Sequence, residues 1–147
     1  MALAVTALGL AACGDDDADE SDVSGNPAES TEEIVIETHL TFPLNEAPRG
    51  EILEESTIGG SPFCPGGTFS DQPGSGQFFN EKTIECDDGS LEIGFSPGEP
   101  SNRTQKGPWE VLSSTGAYEG LQASGEMEAK FDSQTEGHET FTGTVSQ

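Results

Sequence analysis

Basic residues are scarce in this 147-residue chain: five Lys and Arg stand against 28 Asp and Glu, for a formal net charge of −23. A field of that sign argues against nucleic acid as a partner and against direct binding to anionic membrane surfaces, because both carry like charge. Histidine is as thin, with only His39 and His138, and there is one Trp and one Tyr. No Gly-x-Ser-x-Gly elbow, phosphate loop, His-Glu-x-x-His or Cys-x-x-Cys occurs, so no reaction and no cofactor is named by a motif. No apolar run reaches bilayer-spanning length, and no stretch holds the 3.6-residue apolar period of an amphipathic helix.

What is present begins at the N-terminus. Mostly apolar, uncharged residues run into Leu10-Ala11-Ala12-Cys13, and Gly14-Asp15-Asp16-Asp17 follows at once. This resembles a bacterial lipoprotein signal peptide with its lipobox, in which small residues precede the cut and the cysteine takes a lipid. The resemblance implies a signal peptide over residues 1–12, lipidation at Cys13, and a lipid-anchored protein on the extracytoplasmic side of the cell membrane. No Lys or Arg precedes Arg49, so the positive charge that ordinarily opens a secretory leader is missing, and we expect a start codon further upstream. An apolar first strand or helix of a cytoplasmic protein is the alternative reading of the same residues.

Three cysteines would be an awkward number for an exported protein. With Cys13 assigned to a lipid, Cys64 and Cys86 remain, and an oxidising compartment would join them. The bond would close a loop of about 23 residues, contributing about 3 kcal/mol in the chain-entropy picture. Two free, buried cysteines in a reducing compartment are the alternative.

Residues 13–33 hold nine acids, no base and one sizeable aliphatic, Val23. Such a segment cannot bury enough apolar surface to offset its ordering entropy, and self-repulsion extends it. It is expected to be a disordered acidic tether, although Asp15–Asp19 could also gather a cation. Residues 34–147 then form one domain with a single modest core.

Within that domain the apolar residues alternate with period two. Ile34, Ile36, Leu40 and Phe42 share a face opposite Glu37 and His39, and Leu91, Ile93 and Phe95 oppose Glu92. Leu121, Ala123, Gly125, Met127, Ala129 and Phe131 oppose Gln122, Ser124, Glu126, Glu128 and Lys130, while Phe141, Gly143 and Val145 oppose Thr142 and Thr144. Further strands are expected near 50–58, 67–71, 76–86 and 108–114. Asp87-Asp88-Gly89 marks a hairpin turn. About eight short antiparallel strands imply an all-β domain, a small closed barrel or a sandwich. The barrel is favoured, because the small inward residues Ala123, Gly125 and Ala129 suit a tapering or partly hollow interior.

Ser114-Thr115-Gly116-Ala117-Tyr118-Glu119-Gly120-Leu121, followed by Gly125, resembles the glycine-rich turn of allene oxide cyclase-type and dirigent-type barrels. The resemblance implies a calycin-like barrel of eight strands, with this turn joining two neighbours. Ser114 stands where those families carry Gly. Gly116 and Gly120 permit unusual backbone angles, and Tyr118 can plug a barrel mouth. Those families steer reactive intermediates inside a cavity, but none of their catalytic positions matches a residue here, so the resemblance speaks to fold and not to activity. Cys64-Pro65-Gly66-Gly67 and Cys86-Asp87-Asp88-Gly89 resemble segments of small actinobacterial secreted proteins.

Candidate chemistry is sparse. His138 with Glu136 or Glu139 could act as a base or bind metal, although surface histidines in an acidic protein need no such role. Asp87 and Asp88 could ligate calcium, but the hairpin turn accounts for them without a metal. Trp109, Tyr118, Met127 and Phe131 are candidates to line an apolar pocket in the barrel interior, or to be simple core. The preferred function is a non-enzymatic binding module for a small apolar ligand or envelope component. An envelope interaction protein with a filled core comes next. A cyclase or isomerase comes last, since it needs an inward polar group and the alternation turns Glu110, Glu126 and Glu128 outward.

Overall fold

A computed structural model describes residues 31–146. The expected signal peptide, Cys13 and all but the end of the acidic tether lie outside the described residues. The described chain consists of ten strands and no helix: β1 (Glu32–Thr41), β2 (Arg49–Ile52), β3 (Thr57–Ile58), β4 (Ser61–Pro62), β5 (Thr68–Pro73), β6 (Asn80–Cys86), β7 (Gly89–Phe95), β8 (Thr104–Gly116), β9 (Gln122–Phe131) and β10 (Glu136–Ser146). Neighbours pair in the order β1-β2-β5-β6-β7-β8-β9-β10, and β10 returns to β1. The result is a closed antiparallel barrel of eight strands, with the β3–β4 hairpin as an extension. Among the described residues every strand of the ring has a neighbour on both sides, which removes the two open edges of a flat sheet.

The closing seam is long. β1 and β10 pair from Glu32↔Val145 to Thr41↔Glu136. The other edge of β1 is divided, with Thr38–Thr41 pairing β2 and Ile34–Val35 pairing β3. The strand therefore starts at Glu32, two residues before the expected domain boundary, because Val145 and Thr144 give Glu32 and Glu33 backbone partners. Likewise the expected strand at 50–58 is split into β2 and β3: Ser56 turns inward, and its hydroxyl bonds the backbone of Glu37.

Inward residues follow the alternation. Ile34, Ile36, Leu40, Ile84, Leu91, Ile93, Phe95, Trp109, Met127, Phe141 and Val145 are all buried. Small residues on β9 and β10 do not leave the middle of the barrel hollow. Trp109, Gly125 and Gly143 are successive cross-strand neighbours, and a Cβ on Gly143 would sit 3.0 Å from the Trp109 ring. The indole occupies the space those glycines release, donates Nε1–H to the Thr142 carbonyl at 3.1 Å, and meets Phe141 edge-on at 5.8 Å. A bulge between β7 and β8 moves Leu112 outward, where it is 42% exposed.

The barrel has two different ends. At one, the chain enters on β1, and the disulfide between Cys64 and Cys86 pins the segment after β4 to the end of β6. There Phe63, fully buried, meets Tyr118 edge-on at 5.3 Å and closes the interior. Tyr118 lies in the turn between β8 and β9, where Gly116 and Gly120 adopt φ of 63° and 83°. At the other end, the loops 42–48, 74–79, 96–103 and 132–135 surround an opening. Replacing both Cys64 and Cys86 with Ser should preserve the barrel and lower its unfolding free energy by about 3 kcal/mol, measured by urea titration against the oxidised parent.

Candidate functional site

Alternation predicts more than apolar residues at inward positions. Two residues before Phe141 stands Glu139, two before Ile84 stands Lys82, and two after Phe69 stands Asp71. Thr38 lies midway between Ile36 and Leu40. All four point into the barrel: Lys82 and Thr38 are 0% exposed and Glu139 is 2% exposed. Asp71 and Lys82 are cross-strand partners on β5 and β6, and Thr38 and Glu139 are partners on β1 and β10. The pairs come from two different walls and meet inside.

Lys82 Nζ donates to Asp71 Oδ1 at 2.5 Å and lies 2.8 Å from Glu139 Oε2. Thr38 Oγ1 donates to the same Glu139 oxygen at 3.0 Å. The ammonium also sits over the Phe69 ring, 3.6 Å from its centroid, with Phe95 and Phe141 at 5.3 and 5.7 Å. Burial of a lysine this deep is tolerable because carboxylates and ring faces together replace its water. Asp71 shows the cost of the arrangement. Burial, reinforced by repulsion from Glu139, pushes its carboxyl up to about 6 despite the opposing pull of Lys82.

This cluster forms the floor of a cavity of about 370 Å³ at the open end. Leu40, Phe42, Phe95, Met127, Ala129 and Phe131 supply apolar walls, Asp71 and Glu139 face in from below, and Gln72, Asn80 and Gln105 add neutral amides. Pockets that combine apolar walls with a few convergent polar groups are what small-molecule sites look like. Leu44 and Phe79, 88% and 80% exposed, stand on two of the loops at this end.

Of the residues singled out from sequence, Met127 and Phe131 line this mouth. Trp109 is packed in the middle of the barrel, and Tyr118 belongs to the closed end, where it borders a separate cleft with Phe63, Leu121 and Val145. The four therefore do not share one pocket. His138 pairs with Asp132, its Nδ1 2.7 Å from Oδ2, rather than with Glu136 or Glu139. Glu136 instead lies 3.7 Å from His39, and Glu139 faces the opposite side of β10. Among the described residues no group of three or more His, Cys, Asp or Glu is arranged to hold a metal ion. No family model, curated protein or solved structure matches this chain.

Lys82→Met should cost about 3–5 kcal/mol, because two buried carboxylates lose their counter-charge. Adding Asp71→Asn and Glu139→Gln should recover much of that loss, as read by urea unfolding of the single and triple variants. Asp71 itself gives a pH signature. Its folded pKa lies above the unfolded one, so the folded state holds the extra proton between about pH 4 and 6, and stability falls as pH rises through that window. Asp71→Asn should remove up to about 3 kcal/mol of that dependence relative to the parent, measured by unfolding at pH 4, 5, 6 and 7.

Proposed function

We propose that the barrel is a binding module that takes a small, largely apolar ligand at its open mouth, and that a lipid on Cys13 holds it at the outer face of the cell membrane. The observation that carries this reading is the 370 Å³ cavity walled by Leu40, Phe42, Phe95, Met127, Ala129 and Phe131 and floored by two carboxylates. The exposed Leu44 and Phe79 on loops at the same end would favour the capture of apolar molecules. β1 begins at the opposite end of the barrel, so an anchor upstream of it would leave the mouth facing away from the membrane. The Cys64–Cys86 disulfide accords with export to an oxidising compartment.

A second reading, a cyclase or isomerase in the same pocket, draws support from Asp71. A carboxyl raised to about 6 beside an apolar cavity has the protonation behaviour of a general acid or base near neutral pH. Binding is preferred because Lys82 already engages both carboxylates.

The test is saturable binding of the neutral dye N-phenyl-1-naphthylamine to the full chain with its disulfide formed. Fluorescence should rise with one site per chain. Ala47 is exposed and lines the rim, so Ala47→Trp should obstruct entry without touching the core and weaken binding at least roughly tenfold. Non-saturable uptake, or uptake indifferent to Ala47→Trp, would remove the mouth as the site.

A further inference from the structure

Charge in the mouth does not balance. Lys82 brings one positive charge; Asp71 and Glu139 bring two negative ones when both are ionised. The amides Gln72, Asn80 and Gln105 are neutral. The remaining bases among the described residues are engaged elsewhere: Arg49 with Glu46, Lys106 and Lys130 with Glu128, and Arg103 with the Asp132 carbonyl. A buried anion without a counter-charge is unfavourable, and it is relieved either by a proton or by a cation arriving from outside.

The geometry leaves room for the second. Lys82 and Thr38 engage Asp71 Oδ1 and Glu139 Oε2. Asp71 Oδ2 and Glu139 Oε1 accept no hydrogen bond among the described residues, although Glu139 is 2% exposed and both side chains border the cavity. Lys82 is fully buried behind them, so an incoming molecule meets carboxylate oxygen rather than the ammonium. The walls suit a cation too, since Phe42, Phe95 and Phe131 border the space. Lys82 itself shows the pairing on the inner side, with its ammonium on the Phe69 ring.

We infer that the mouth selects a small amphiphilic amine, its ammonium donating to Asp71 and Glu139 and its hydrocarbon body lying among Phe42, Met127 and Phe131. This rests on the mouth being a binding site, and it adds the chemical class of the ligand. Carboxylic acids of the same size are disfavoured, because their head groups would face two carboxylates. Protonation of Asp71 below about pH 6 cancels the surplus charge, so the preference for the amine weakens there. The other ionisable groups facing that carboxyl are Lys82, which contacts both carboxylates, and Glu139.

Displacement of N-phenyl-1-naphthylamine from the full chain by n-octylamine, n-octanol and n-octanoate separates the possibilities. At pH 7.5 the amine should displace the dye at a concentration at least roughly tenfold below that of the alcohol, with the carboxylate weakest. The amine-to-alcohol ratio should shrink toward one in Glu139→Gln, in Asp71→Asn, and in the parent at pH 5. Two single variants are used so that a folding defect in one does not decide the outcome. Equal displacement by amine and alcohol, a preference for octanoate, or no displacement by any of the three from a dye that binds would overturn the amine assignment and leave the binding site standing. A dye that does not bind at the mouth would overturn both.

Discussion

The ten-residue seam between β1 and β10 is the constraint on which the rest of this structure depends. It turns a run of hairpins into a closed surface, so that every alternate residue faces either solvent or a single interior. It also sets the register that puts Thr38 opposite Glu139. A slip of one residue would move the whole inward set of β10, Glu139 and Phe141 included, to the outer face. Closure and site therefore share a cause.

The interior that results is graded along its axis. The end where the chain enters is closed by Phe63 and Tyr118 and held by the disulfide. The middle is filled by Trp109 over Gly125 and Gly143, with Phe95 and Phe141 in edge-to-face contact. At the far end a cavity opens, and there the packing changes from hydrocarbon to a lysine held between two acids. Lys82 links the β5–β6 wall to the β1–β10 wall at the depth where the filled core ends and the cavity begins. Buried ion pairs of this kind are poor sources of stability. Here they put carboxylate oxygens beneath a cavity.

Much of the fold was legible from residues alone, and the reasons are local. Period-two alternation in β1, β7, β9 and β10 marked their inward faces, and Asp87-Asp88-Gly89 marked the turn between β6 and β7. The site was less legible because the eye follows hydrophobic residues. Glu139 stands next to His138 in the chain, yet it has the parity of Phe141; Lys82 has that of Ile84. Charge is ordinarily a sign of exposure, so parity alone does not single out these inward-facing polar groups. Trp109 is simple core, one of the two roles open to it, but its packing is not local: Gly125 and Gly143 lie sixteen or more residues downstream, and only pairing across strands brings them beneath it.

Strand alternation and turn chemistry were properties of the sequence by itself, because each rests on contacts set by neighbouring residues, whereas two cysteines 22 residues apart are brought to bonding distance by the fold. Which end of the barrel is open, whether small residues leave a void, and which charges meet were decided only by tertiary structure. Asp71, Lys82, Glu139 and Thr38 are separated by up to 101 residues. No local rule brings them together; closure does, and it leaves two carboxylates and one ammonium at the floor of the mouth because those are the residues whose parity turns inward at that depth.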